Sequence, residues 1–174
     1  FNAREYQTDI DEPITMMLTN VDWALINECY AVDVISYGDT YYFRGVTGLF
    51  KEYVNAGMVG KMNAKSPGER MNWKLWLNNA YGKYAQKIKV RGKVPRLDSD
   101  DIVHYVLGDE TERKPVYLPV GIFVTAWARD YTIRTALKFG DRFIYSDTDS
   151  IHFIGAEIPS DILIDSKKLG YWDL

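Results

Sequence analysis

The stretch R-F-I-Y-S-D-T-D-S-I-H-F-I-G, Arg142 to Gly155, decides how this chain is read. Apolar and aromatic residues flank a polar centre holding two carboxylates, Asp147 and Asp149, two residues apart. The flanks read as two short strands. In an extended strand, residues i and i+2 point the same way, so both carboxylates share one face if the backbone stays extended, and Thr148 faces away. Two neighbouring carboxylates repel, which raises at least one pKa unless a cation sits between them. Hard oxygen ligands favour Mg²⁺, which takes one or two protein carboxylates and completes its shell with water and substrate phosphate. The chemistry implied is metal-assisted phosphoryl transfer. The same residues also spell a polar hairpin turn, because S-D-T-D-S is made of turn formers.

A second motif lies upstream. From Glu69 to Gln86 the pattern is helical, with Trp73, Trp76, Leu77 and Ala80 on one face. Within it, Lys74, Asn78 and Tyr81 stand at i, i+4 and i+7 and share a stripe. A lysine, an amide and an aromatic ring on one stripe can meet a phosphate, a sugar edge and a base plane. The plain alternative is an ordinary amphipathic helix. The two motifs together, in this order, favour the functional reading.

Charge is unevenly spread. Residues 1–60 carry 3 Lys/Arg against 9 Asp/Glu, residues 61–96 carry 10 against 1, and residues 97–174 carry 8 against 14. A basic block inside an acidic chain is a candidate polyanion contact, or else a solvated helix face. With 174 residues, 47% of them hydrophobic, the chain can build one or two packed units. No apolar run approaches a membrane span and no signal peptide opens the chain, so no membrane partner is expected. The start at Phe1 and the abrupt end at Leu174 suggest a piece of a longer protein. The single cysteine, Cys29, forms no internal disulfide, fits a reducing compartment, and reads as a small buried apolar residue.

Along the chain, Thr19-Asn20-Val21-Asp22 caps a helix carrying Leu25, Cys29 and Tyr30, followed by strands at Val32–Tyr37 and Tyr41–Arg44. A helix starts at Leu49. Ser66-Pro67-Gly68 marks a loop. Lys87 to Tyr117 reads as a hairpin with extended pieces that include Pro115-Val116-Tyr117, and Ile122 to Phe139 as a long helix.

Y-S-D-T-D-S resembles the third polymerase motif of family B DNA polymerases, Y-x-D-T-D-S. K-L-W-L-N-N-A-Y-G resembles their second, K-x-x-x-N-S-x-Y-G. The surrounding T-G-L-F-K-E-Y, G-K-V-P, K-P-V-Y-L-P-V-G-I-F-V-T-A-W-A-R and S-K-K-L-G-Y-W are similar to the terminal-protein-primed branch of small tailed bacteriophages. The resemblance implies an α+β fragment of a right-hand polymerase: palm strands and helices, helical fingers and a β-hairpin insertion. It implies that residues 1–50 end an insertion contacting the priming protein, 51–86 are fingers, 87–118 a DNA-encircling hairpin, and 119–174 part of the palm.

It further implies a DNA-directed DNA polymerase working by a two-metal mechanism. Asp149 would ligate both Mg²⁺ ions, with Asp147 beside it as a weaker or indirect ligand and Mn²⁺ able to substitute. Lys74 would contact the incoming nucleotide's phosphates, and Asn78 and Tyr81 its sugar and base. Lys83, Thr125 and Arg129 would contact DNA. The implied partners are primer-template DNA, deoxynucleoside triphosphates and a priming terminal protein, in the cytoplasm of an infected bacterium.

Two departures stand out. Asn79 replaces the family's usual serine, which alters the shape of the nucleotide pocket. The first motif, D-x-x-S-L-Y-P, which supplies the other metal-binding aspartate, is absent, as are the exonuclease and thumb. Asp33-Val34-Ile35-Ser36-Tyr37 is a poor substitute, because it lacks the leucine and the proline. The chain is therefore expected to be inactive alone. The competing classes are a non-catalytic nucleic-acid-binding module, with the carboxylates as turn residues, and a metal-dependent nuclease, which needs further ligands. His104 and His152 read as strand residues rather than as those ligands.

Overall fold

A computed structural model describes residues 12–114 and 116–174. The first eleven residues of the expected insertion end, and Pro115 of the expected extended piece, lie outside the described residues. The chain divides into two compact units. One runs up to Phe43 and adds Ala126–Ile158; the other comprises Arg44–Thr125 and Pro159–Leu174.

In the first unit, α1 spans Asn20–Cys29 and opens with a capping box. The Thr19 hydroxyl accepts from the Asp22 amide at 3.1 Å, and the Asp22 carboxylate accepts from the Thr19 amide at 3.3 Å. Val21 and Leu25 are the buried residues of α1. Cys29 is exposed, contrary to expectation, because it closes the helix: Tyr30 is already extended, at φ −132° and ψ 149°. The expected strands at 32–37 and 41–44 do not form. Their composition suits strands, but a strand also needs a ladder to a neighbouring strand, and neither segment belongs to a sheet among the described residues. Ile35, Tyr37 and Tyr42 are 77%, 78% and 93% exposed.

Helix α4 spans Leu118–Leu137 and contributes residues to both units. It begins before the expected Ile122, because Pro119 sits in the first turn, where a missing N–H leaves no helical bond unmade. Its end tightens through Lys138 and Phe139 amides donating to Thr135 and Ala136 carbonyls, and a 3₁₀ turn at Gly140–Arg142 follows. Strands β3 (Phe143–Asp147) and β4 (Ser150–Phe153) then form an antiparallel hairpin. The buried residues here are Ala126, Thr132, Thr135, Ala136 and Phe139, and Phe139 stacks on Phe153 with ring centroids 4.1 Å apart.

In the second unit, α2 (Lys51–Asn63) pairs with α3 (Pro67–Tyr84). Ser66-Pro67-Gly68, expected to be a loop, starts α3. Ser66 is the N-cap, accepting from the Glu69 amide, and Pro67 takes the first helical position. The helices approach closely because α2 presents glycine. A Cβ on Gly60 would stand 2.2 Å from the Trp73 ring, and one on Gly57 2.5 Å from Leu77. Tyr53 stacks on Trp76 at 5.0 Å and donates its hydroxyl to the Trp76 carbonyl at 2.6 Å.

Strands β1 (Lys89–Leu97) and β2 (Val103–Glu112) form a second antiparallel hairpin, with a register shift between Arg91 and Lys93. His104 and His152 are strand residues, as read. The fold class is the expected one: helices combined with antiparallel hairpins. No described helix is long and apolar enough to cross a membrane.

Candidate functional site

The Asp147–Asp149 stretch is a hairpin tip. Asp147 ends β3 and pairs with Ser150, leaving Thr148 and Asp149 as the connection. The backbone does not stay extended between the carboxylates. Thr148 takes φ +50°, and the Asp149 amide donates back to the Asp147 carbonyl. The alternation argument for a shared strand face therefore fails, and the turn reading of S-D-T-D-S is correct as geometry. Both carboxylates are nonetheless exposed at one tip.

Side chains hold this tip. The Thr148 hydroxyl donates to Asp147 Oδ1 at 3.0 Å, and the Ser150 hydroxyl to the Asp147 carbonyl at 3.1 Å. From α4, the buried Thr132 hydroxyl donates to the Thr148 carbonyl at 3.1 Å. The Asp149 carboxylate makes no hydrogen bond or ion pair among the described residues. It is a hard oxygen donor with its lone pairs free. No group of three or more His, Cys, Asp or Glu side chains that could hold a metal occurs among the described residues.

Arg129 lies in the first unit with α1. Its Nε and Nη2 clasp the Asp22 carboxylate at 2.8–3.1 Å. Partial burial opposes ionisation of Asp22, but hydrogen bonds from Arg129 and Thr19 outweigh it and hold the carboxyl below its usual range. Five residues on, Arg134 bridges Glu28 of α1 and Asp130 of α4, and its hydrogen bond depresses the Glu28 pKa. The sequence marks Asp22 only as part of a helix cap and does not mark Glu28; pairing across more than a hundred residues leaves no local pattern, unlike the i,i+4 pair of Asp130 and Arg134.

In the second unit, Lys74, Asn78 and Tyr81 are all exposed on α3. They sit one residue on from Trp73, Leu77 and Ala80, which are only partly exposed, so the stripe is rotated by about 100° from the packed face. The structure thus keeps the three together and accessible. Thr125 turns its hydroxyl back onto its own helix, toward the Gly121 and Ile122 carbonyls. Lys83 is exposed. On the hairpin, Lys89 lies 3.4 Å from Glu110 and 3.9 Å from Glu112, and Arg91 lies 4.0 Å from Glu110, so the facing strand offsets part of the basic block. Lys87, Lys93 and Arg96 have no acidic partner among the described residues.

The family described as DNA polymerase type B, organellar and viral, matches residues 3–167. The chain is 44% identical over 175 residues to the DNA polymerase of Bacillus phage Nf and 43% identical to that of Bacillus phage phi29, covering 99% of this chain and 30% of each relative. It is 37% identical to the DNA polymerase of Streptococcus phage Cp-1, over 95% of this chain and 29% of that protein. Among solved structures it resembles Phi29 DNA polymerase complexed with primer-template DNA and incoming nucleotide substrates. The TM-score is 0.72 at 42% identity, covering 88% of this chain and 27% of the other. The same polymerase with single-stranded DNA matches with a TM-score of 0.67. The chain spans about 30% of the length of the curated relatives it matches.

Proposed function

Because the chain belongs to the organellar and viral type B DNA polymerases, we propose that it carries part of the nucleotidyl-transfer centre of a protein-primed phage DNA polymerase. The observation carrying this reading is the exposed hairpin tip that presents Asp147 together with an Asp149 carboxylate that has no partner among the described residues. In the full enzyme a primer 3′-hydroxyl, or a hydroxyl of a terminal protein, attacks the α-phosphorus of a deoxynucleoside triphosphate, and pyrophosphate leaves.

The donor set at the tip fits Mg²⁺, which accepts one or two carboxylates and leaves the remaining positions to water and phosphate. Asp149 would ligate both ions, with Asp147 beside it, and Mn²⁺ could replace them. When bound, the metal supplies Lewis acidity that eases hydroxyl deprotonation and offsets phosphate charge. Lys74 binds the triphosphate as a mobile point charge. Asn78 and Tyr81 line the sugar and the base. Lys83, Thr125 and Arg129 meet the primer-template; for Arg129 that means leaving Asp22, and for Thr125 it leaves the hydroxyl oxygen as acceptor.

On the same reading, residues 51–86 serve as fingers, 87–118 as a DNA-facing hairpin, 119–174 as palm, and the residues before 51 meet the terminal protein. The site of action is the cytoplasm of the infected host. Primer extension by the polymerase carrying Asp149→Asn tests this. Incorporation is lost while primer-template affinity is retained. Parental synthesis by that variant would remove the assignment and favour a nucleic-acid-binding module whose carboxylates are only turn residues.

A further inference from the structure

We propose that Thr132 is a positioning residue for the carboxylate tip, acting through the carbonyl of Thr148; the inference rests on the polymerase reading of Asp147 and Asp149. Helix α4 contains its own comparison. Threonine inside a helix ordinarily turns its hydroxyl back to a carbonyl three or four residues earlier. Thr125 does so toward Gly121 and Ile122, and Thr135 does so toward Tyr131 at 2.7 Å. Thr132 does not. Its hydroxyl donates out of the helix to the Thr148 carbonyl, 3.1 Å away, from a side chain only 7% exposed.

The recipient is an unusual peptide. Thr148 is β-branched and sits at φ +50°, a region such residues rarely adopt. A conformation of that kind persists when its surroundings over-determine it. The bonds from the Thr148 and Ser150 side chains and from the Asp149 amide lie inside the hairpin and move with it. The Thr132 bond comes from α4 and ties the peptide between the two carboxylates to a helix. Rotating that peptide would re-aim Asp147 on one side and Asp149 on the other. A displacement of about 1 Å at reacting groups can cost a hundredfold in rate. Thr132 touches neither metal nor substrate in this account; it sets where the carboxylates point.

The test compares Thr132→Val, which keeps the shape and removes the donor, with Thr132→Ser, which keeps the donor. Both are made in the polymerase that carries this chain, alongside Asp149→Asn. Single-turnover incorporation at saturating nucleotide falls about tenfold or more in Thr132→Val, and half-saturation by Mg²⁺ moves to higher concentration. Primer-template affinity stays parental, and Thr132→Ser restores the rate to within about threefold. The melting temperature provides the control, because a merely structural threonine would make rate follow stability. Parental rate and metal dependence in Thr132→Val, a rate loss in both variants that tracks melting temperature, or failure of Thr132→Val to fold would each overturn the proposal. If Asp149→Asn is inactive while Thr132→Val is parental, this inference fails alone; if Asp149→Asn is active, the polymerase reading of the tip fails.

Discussion

Arg129 grips Asp22 through a fork, with Nη2 donating to both carboxylate oxygens and Nε to one, and the same carboxylate caps α1 through Thr19. One aspartate therefore serves a helix start and an ion pair across 107 residues of sequence. Its folded pKa lies below the ordinary value of 3.8. A depressed carboxyl pKa gives stability that is fully present above the unfolded value and lost as pH falls through the folded one. Asp22→Asn should lower stability at neutral pH by about 1 kcal/mol, a modest figure because Arg129 is 52% exposed. The gap between parent and variant should close as pH falls below 3.8. Urea unfolding across that range measures it, and a gap independent of pH would show that the carboxylate charge contributes nothing.

The same fork bears on DNA. If Arg129 meets DNA phosphate, Asp22 competes for it. Asp22→Ala should then raise primer-template affinity at low salt and steepen its salt dependence by about one phosphate contact. Unchanged affinity and slope would mean that Arg129 serves only to hold α1.

How far the sequence could be read depended on whether the deciding interactions were local. The Thr19 cap, the hairpin between Lys89 and Glu112, and the amphipathic stripe of α3 are set by neighbours in sequence, and all were legible. Residues 32–37 have strand composition but no strand, because a ladder needs a partner that composition does not supply. Ser66-Pro67 suits a loop and a helix start equally, since the same residues serve both roles, and here it starts α3. At the tip the residue types were legible but the backbone was not: alternation assumes an extended chain, and Thr148 at φ +50° breaks it. The Thr132 donor was out of reach, because nothing near position 132 points to position 148.

Lys74 is exposed on α3 beside Asn78 and Tyr81. If that charge meets the triphosphate, as proposed, it acts on nucleotide affinity and on the chemical step. Lys74→Ala should weaken nucleotide binding by about tenfold or more and leave template binding near the parental value. Weakened duplex binding with unchanged nucleotide dependence would move Lys74 to the DNA path.

Pairing on the hairpin divides the basic block. Lys83, Lys87 and Lys93 have no carboxylate partner among the described residues, whereas Lys89 and Arg91 face Glu110 and Glu112. DNA binding should weaken with salt at a log–log slope of about −0.9 per phosphate contact. Neutralising the first three should flatten the slope more than neutralising Lys89 and Arg91. Equal effects, or none, would identify a solvated face.

The most direct measurement of the central claim is single-turnover incorporation by Asp149→Asn and Asp147→Asn in the polymerase carrying this chain, at saturating DNA and nucleotide, in Mg²⁺ and then in Mn²⁺. The account predicts a loss of at least about a thousandfold for Asp149→Asn in either metal, and a smaller loss for Asp147→Asn that Mn²⁺ partly restores, with DNA affinity unchanged in both. Parental rates in Mg²⁺ for both variants would contradict it.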